Sequence, residues 1–168
     1  MERRAGRERA SGPGIYTVTL ARALLGDPES VSASGSHYVP RVDQTQWMTL
    51  GFPGGRFAQL ASSMVEWIAP TAAINGTKGY LTLEAPFWAS SSVTVHGGAD
   101  EESFLRPETR RYQIEGNGFV PMIHSIAVAI GAGEVEHPQH DLIETAQTFD
   151  VLDEIRHLIR EPRGAGVR

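Results

Sequence analysis

The chain has 168 residues, enough for folding to bury roughly 70% of its surface and to build a core without help from metals or cross-links. It contains no cysteine, which removes disulfide frameworks and Cys-zinc sites and suits a reducing compartment, the cytoplasm being the default expectation. Its formal charge of -5, with lysine and arginine scattered after the first ten residues, excludes the basic stripe of a nucleic-acid surface.

The first thirteen residues, Met1 to Pro13, are rich in arginine and show no apolar periodicity, so they are expected to be a non-native-looking or disordered segment. No apolar run follows them, as a signal peptide would require. The texture changes at Gly14. Ile15, Val18, Leu20, Ala21, Leu24 and Leu25 recur at helical spacing until Gly26-Asp27-Pro28 stops them, which predicts a helix over Gly14 to Leu25.

From Val31 to about Val95 the apolar period is two, the signature of a sheet. The clearest hairpin runs from Thr45 to Phe52, through the turn Pro53-Gly54-Gly55, and back from Arg56 to Trp67. Its two faces are Met48, Leu50 and Phe52 against Thr45, Trp47 and Thr49, and neither is strongly polar, so both expect cover. The chain's own helices can cover one. The other invites either a second copy, sheet to sheet, or a loop or helix of the same chain.

Further strands are expected near Tyr80 to Glu84, Val93 to His96 and Arg111 to Ile114, with a glycine turn at Gly76 and a polar loop at Gly97 to Glu102. Two helices close the pattern. The first, Gly118 to Ala132, would turn Met122, Ile123, Ile126, Ala127 and Ile130 inward; the second, Asp141 to Arg160, would bury Leu142, Ala146, Phe149, Leu152, Ile155 and Ile159. The longest apolar stretch, Phe119 to Gly133, is interrupted by His124 and Ser125 and falls short of the ~20 residues of a membrane span. The tail, Glu161 to Arg168, is expected to fray. The class is α+β, an open and predominantly antiparallel sheet with helices packed on one face, and the domain spans 14–160.

Few residues suggest chemistry. Gly116-Asn117-Gly118-Phe119-Val120-Pro121 lies where a dinucleotide fingerprint would, but proline replaces its third glycine and no strand with a ribose-binding acid follows, so it reads as a turn and helix start. His96, His124, His137 and His140 offer no His-x-x-x-His pair on one helix, and no metal site is assigned. Ser62, Ser63 and Ser90 to Ser92 lack the glycines of a nucleophile elbow. Asp150, Asp153 and Glu154 fit a solvated helix face paired with Arg156 and Arg160. Lys78, the sole lysine, sits in a glycine turn with at most a peripheral role. Tyr16, on the first turn of its helix, can be a proton donor to a carbonyl oxygen or a boundary aromatic with a wet hydroxyl.

Taken together, Gly14-Ile15-Tyr16 opening a helix, Val42-Asp43 before a strand, the Phe52-Pro53-Gly54-Gly55 hairpin, Ile74-Asn75-Gly76-Thr77-Lys78-Gly79, Gly116-Asn117-Gly118-Phe119 and the helix Glu144 to Arg156 resemble the C-terminal domain of the Gfo/Idh/MocA family of NAD(P)-dependent oxidoreductases. The closest likeness is to its dihydrodiol dehydrogenase and sugar-reductase-like members. The resemblance implies a homodimer through the open sheet face, a small-molecule substrate (a sugar, polyol or cyclic diol), and a preceding Rossmann domain with a glycine-rich turn and a Glu-Lys-Pro motif. Neither motif is in this chain, so it would bind no cofactor alone and NAD(P) would belong to the full-length protein or to a separate Rossmann-domain polypeptide.

Similar members carry a stretch like Gly-Gly-Gly-Ala-Leu-Leu-Asp-Leu-Gly-x-Tyr, whose Asp and Tyr line the substrate site. Tyr16 matches that tyrosine and is the expected remnant proton donor, while Gly12 stands at the aspartate position. Read one nucleotide later, with wobble bases free, the codons of Gly6 to Pro13 permit Gly-Gly-Ser-Ala-Leu-Leu-Asp-Leu, the missing stretch. The expectation is therefore the truncated substrate-binding and dimerisation half of an oxidoreductase, inactive by itself. The alternative is a free-standing, non-catalytic dimeric module that binds a small polar ligand.

Overall fold

The computed structural model describes residues 14–39, 42–97, 105–116 and 118–160. The expected N-terminal segment Met1 to Pro13, the expected frayed tail and most of the loop Gly97 to Glu102 lie outside the described residues. The chain forms two compact units, one built from segments up to Ile68 and from His140 onward, the other from Ala69–Gln139.

In the first unit, helix α1 (Gly14–Leu25) turns Val18, Ala21 and Arg22 inward. It stops where Gly26 adopts a left-handed φ of 88 and returns its N–H to the Arg22 carbonyl at 2.8 Å, a helix end that a side chain bearing a Cβ would strain. Strands β1 (Ser30–Val39), β2 (Val42–Phe52) and β3 (Arg56–Ser63) then form an antiparallel sheet in that order. Val31 faces Leu50, Ala33 faces Met48, and Met48 and Leu50 face Leu60 and Ala58 across the hairpin. Helix α3 (Leu142–Arg160) closes the layer. Leu50, Val18 and Ile155 are fully buried between helices and sheet, with Met48, Phe52, Val151, Leu152 and Ile159 around them. Burial of side chains of this size stabilises by about 1.5–3 kcal/mol each. Gly35 permits the close approach of α3, since a Cβ there would strike the Thr45 carbonyl and lie 3.3 Å from Ile159 Cδ1.

The helical stripe of α3 is rotated from the expected one. Leu152, Ile155 and Ile159 are buried as expected, but Leu142, Ala146 and Phe149 are exposed and Thr148 and Val151 take their place. The cause is Arg22. Its guanidinium is buried, and it donates from Nη1 to Thr148 Oγ1 at 2.7 Å and to the Glu144 carbonyl at 3.0 Å, from Nη2 to Gln147 Oε1 at 2.9 Å, and from Nε to Asp27 at 3.2 Å. That polar anchor fixes which face of α3 meets α1.

The hairpin's return strand ends at Ser63, four residues before the expected Trp67. Ser63 Oγ accepts the N–H groups of Val65 and Glu66 at 3.1 and 2.9 Å, and the Glu66 carboxylate accepts the hydroxyls of Ser63 and Thr45. A serine that bonds its own following backbone competes with the ladder and turns the chain away.

The second unit holds strands β4 (Ala72–Gly76), β5 (Gly79–Leu83), β6 (Ser92–Gly97) and β7 (Glu108–Arg111), an antiparallel sheet in that order. The last strand lies three residues earlier than the expected Arg111 to Ile114, pinned by a 3.0 Å bond between the Thr94 and Thr109 hydroxyls. Helix α2 (Phe119–Gly131) follows and ends in a Schellman motif, Gly133 N–H to the Ile130 carbonyl and Glu134 N–H to the Ala129 carbonyl, both at 3.0 Å. Contrary to expectation, Met122, Ile123, Ile126, Ala127 and Ile130 are exposed, and only Ser125 and Ala129 are partly covered. His137 explains the orientation, because its ring bonds Ser125 Oγ at 2.8 Å and holds that side of the helix against the following loop. None of the described residues of this unit is fully buried. The α+β class, the antiparallel pairing and the packing of helices on one sheet face are as the sequence predicts, with the strands divided between two sheets.

Two outcomes are expected. Both carboxylates around Arg22 are more than half exposed, so their Coulomb attraction is screened and the stabilisation comes mainly from satisfied donors and the packed stem. Arg22→Ala should cost about 2–4 kcal/mol in urea unfolding with an unchanged m-value, and Arg22→Lys should recover less than half of it. Glu66 is held below the usual carboxylate range by the Ser63 hydroxyl and then by that of Thr45. A depressed folded-state value means that this contribution is present near neutrality and is lost as pH falls through that value. The unfolding-temperature difference between wild type and Glu66→Gln should therefore shrink on going from neutrality to about pH 3.

Candidate functional site

The first turn of α1 is set by what lies under it. Gly14 is buried against β2 and β3, where Gln46 Nε2 donates to Ser62 Oγ at 2.8 Å and Ser62 is itself buried. A Cβ on Gly14 would collide with Gln46 Nε2 and lie 3.3 Å from Ser62 Oγ. Thr17 Oγ1 donates to the Gly14 carbonyl at 2.9 Å and closes the turn. With Val18 pointing into the core, helical geometry turns Tyr16 toward solvent, and it is 46% exposed. The phenol stands on a helix whose start is packed onto the sheet. Gly12, where the resemblance would place an acid, lies outside the described residues.

The remaining candidates make separate local contacts. Lys78 belongs to the second unit, in the turn between β4 and β5. His96 stacks on Tyr80 with ring centroids 4.3 Å apart. His137 accepts the Gln139 N–H on Nδ1 at 3.2 Å, so in its neutral form Nε2 carries the proton and Ser125 Oγ is the acceptor, the reverse of a base activating a serine. His140 pairs with Thr145 Oγ1 at 3.3 Å. Ser90 Oγ donates to the Ser92 carbonyl at 2.8 Å. Asp153 pairs with Arg156 at 2.6 Å along the exposed side of α3, as its spacing predicts. Among the described residues no group of three or more His, Asp or Glu side chains is placed to hold a metal ion, and no helix is long and apolar enough to cross a membrane.

Arg22 is the residue that sequence reasoning passes over. The signal was present, a charge at the 18, 21, 22, 25 line of an apolar stripe, with Glu144, Gln147 and Thr148 spaced as partners on the first turns of α3.

Residues 12–82 match the family model described as the GFO/IDH/MocA C-terminal domain. That stretch is similar to the C-terminal domain of the GFO/IDH/MocA family. The trans-1,2-dihydrobenzene-1,2-diol dehydrogenase of Oryctolagus cuniculus is 28% identical over 149 residues, an alignment that covers 87% of this chain and 45% of the relative. Among solved structures, an aldose-aldose oxidoreductase from Caulobacter crescentus complexed with glycerol has a TM-score of 0.70 at 22% identity, covering 89% of this chain and 44% of that one. A 3-ketoreductase from Actinomadura kijaniata, in complex with TDP-benzene and NADP, has a TM-score of 0.71 at 20% identity, covering 92% and 48%. These structural likenesses establish the shared fold. The chain spans about half the length of the curated relatives it matches.

The turn before α2 does not fit a nucleotide cradle. It is the sole glycine-rich strand-to-helix passage among the described residues, and the space beside Gly118 is taken by Ala89, whose Cβ would lie 3.0 Å from an added Cβ. A pyrophosphate needs that approach open.

The packing under Tyr16 can be checked by a double-mutant cycle. Gly14→Ala should cost about 1 kcal/mol by driving Gln46 off Ser62, and in a Gln46→Ala background the same substitution should be neutral or slightly stabilising, as read by thermal unfolding.

Proposed function

We propose that this chain supplies the substrate-binding and dimerisation half of an NAD(P)-dependent oxidoreductase acting on a sugar, a polyol or a cyclic diol. The observation that carries the reading is the family match over 12–82, the segment that opens with Tyr16 on the first turn of α1. In this role Tyr16 donates its phenolic proton to the substrate oxygen as a carbonyl is reduced, or receives one in the reverse direction. NAD(P), held by a polypeptide that bears the nucleotide-binding half, would supply the hydride. Lys78 has no part in the proton transfer. With glycine at position 12, Tyr16 works without the carboxylate that similar proteins place four residues before it, so this chain by itself turns over no substrate.

The outer face of the first sheet supports dimerisation. Ser32, Ser34, Trp47, Thr49, Phe57 and Gln59 share it by register, all exposed and none charged. Trp47 is 55% exposed and Phe57 64%, and an aromatic pair on an uncharged sheet face is the kind of surface that a second copy covers. A chain without cysteine is suited to the reducing cytoplasm, where we place it.

Adding the purified chain to NADPH should leave the cofactor's fluorescence unchanged. Saturation-transfer NMR with glucose, glycerol and trans-cyclohexane-1,2-diol should show binding of at least one of the three, weakened several-fold by Tyr16→Phe. A fluorescence response would contradict the division of labour between two halves, and equal binding by wild type and Tyr16→Phe would remove Tyr16 from the site.

A further inference from the structure

Three cross-strand rows line the helix-facing side of the first sheet. Val31, Leu50 and Ala58 form one and Ala33, Met48 and Leu60 the next, and both belong to the apolar core. The third row is Gly35, Gln46 and Ser62. It seats both helices of the unit, since a Cβ on Gly35 would lie 3.3 Å from Ile159 Cδ1 near the end of α3, and a Cβ on Gly14, at the start of α1, would strike the Gln46 amide. Ser62 is only 5% exposed, and its hydroxyl is the acceptor that holds Gln46 Nε2.

Packing does not ask for a polar pair there. Two groups that bond each other beside an apolar core can be exchanged together for apolar groups of the same shape at little cost in stability. What an apolar pair lacks is a fixed direction. The bond to Ser62 holds the Gln46 amide at one height above the sheet, and Gly14 rests against that amide. Thr17 closes its turn onto the Gly14 carbonyl, so a displacement of Gly14 is passed to the whole first turn, Tyr16 included.

We propose that Gln46 is a positioning residue for Tyr16: held by Ser62, its amide sets the height at which α1 starts and so the place where the phenol stands. The inference rests on the reading of Tyr16 as a group that meets the ligand, and adds to it the part of the sheet that aims the side chain. Working donors are held to within about 0.5 Å by neighbours that are themselves locked by hydrogen bonds. Gln46 and Ser62 stand in that relation to the first turn of α1.

The double variant Gln46→Met/Ser62→Ala separates positioning from stability. Methionine fills a similar space without a directional bond, so the unfolding temperature should stay near that of the wild type. The ring signals of Tyr16, read by NMR on the full chain with labelled tyrosines and assigned by their loss in Tyr16→Phe, should move or broaden. Affinity for whichever of glucose, glycerol and trans-cyclohexane-1,2-diol binds should fall several-fold. Ser62→Ala alone is the smaller, second variant and should displace the same signals. Ring signals that coincide with the wild type in both variants overturn the proposal at any affinity. A lowered unfolding temperature with unmoved signals overturns it too, because the pair would then serve stability only. Binding that Tyr16→Phe leaves unaltered, or no binding at all, overturns instead the assignment of Tyr16 to the site, and the ring signals then decide the positioning by themselves.

Discussion

The first unit depends on one side chain that ties its two helices together across more than a hundred residues of sequence. Arg22 brings a full charge into the contact between α1 and α3, a cost that is met because its three nitrogens all find acceptors: Asp27 just past the end of its own helix, and the Glu144 carbonyl, Gln147 and Thr148 on α3. Thr148 serves twice, accepting from Arg22 while donating to the Glu144 carbonyl at 2.9 Å. The planar fork of an arginine can reach acceptors on both helices at once, and an ammonium cannot. With the rotation of α3 settled at its start, Val151, Leu152, Ile155 and Ile159 meet the sheet. The Arg22 network specifies the fold by choosing this face over the one through Leu142 and Phe149, which is more hydrophobic at first sight.

That choice shows what was legible in the sequence. Periodicity alone locates α1 and both later helices to within a residue or so, and the turn of the β2–β3 hairpin, because each is bounded by glycine, proline or a capping acid. Asp141 is such a cap, accepting the Glu144 N–H at 2.7 Å. What periodicity cannot supply is phase where polar residues decide it. Leu142, Ala146 and Phe149 make a credible apolar stripe until a buried arginine requires Thr148 to face inward. Met122, Ile123 and Ile126 make another until a serine to histidine bond turns Ser125 toward the loop. The end of β3 was hidden for a similar reason, since Met64, Val65 and Trp67 continue the strand composition while the Ser63 hydroxyl bends the backbone out of it.

The two units differ in kind. Among the described residues the first has a core of nine buried hydrophobic side chains, whereas the second places Ile74, Leu81, Leu83, Val93 and Val95 on one sheet face with none of them fully buried. A sheet and a helix with that composition bury only part of their apolar surface and leave the rest for something else to cover. The first unit carries exposed hydrophobic residues on a regular element, Trp47 and Phe57 on its sheet, and a regular element presents such residues in fixed relative positions. Association through them costs little ordering entropy.

The candidate site follows from the same packing. Tyr16 owes its position to Gly14, whose missing Cβ allows the helix to start directly over the Gln46 to Ser62 bond, and to Val18, which locks the next turn into the core. A phenol on such a base has few ways to move, and that is the condition under which a proton can be delivered to a fixed oxygen. Rigidity of the base does not fix the reaction, because a hydride donor and its acceptor must also be held in register. The chemistry of a tyrosine on a GFO/IDH/MocA C-terminal domain is therefore conditional. In the proposed function Tyr16 would orient a substrate oxygen, and reduction of the carbonyl carbon that bears it would depend on a hydride from the nicotinamide.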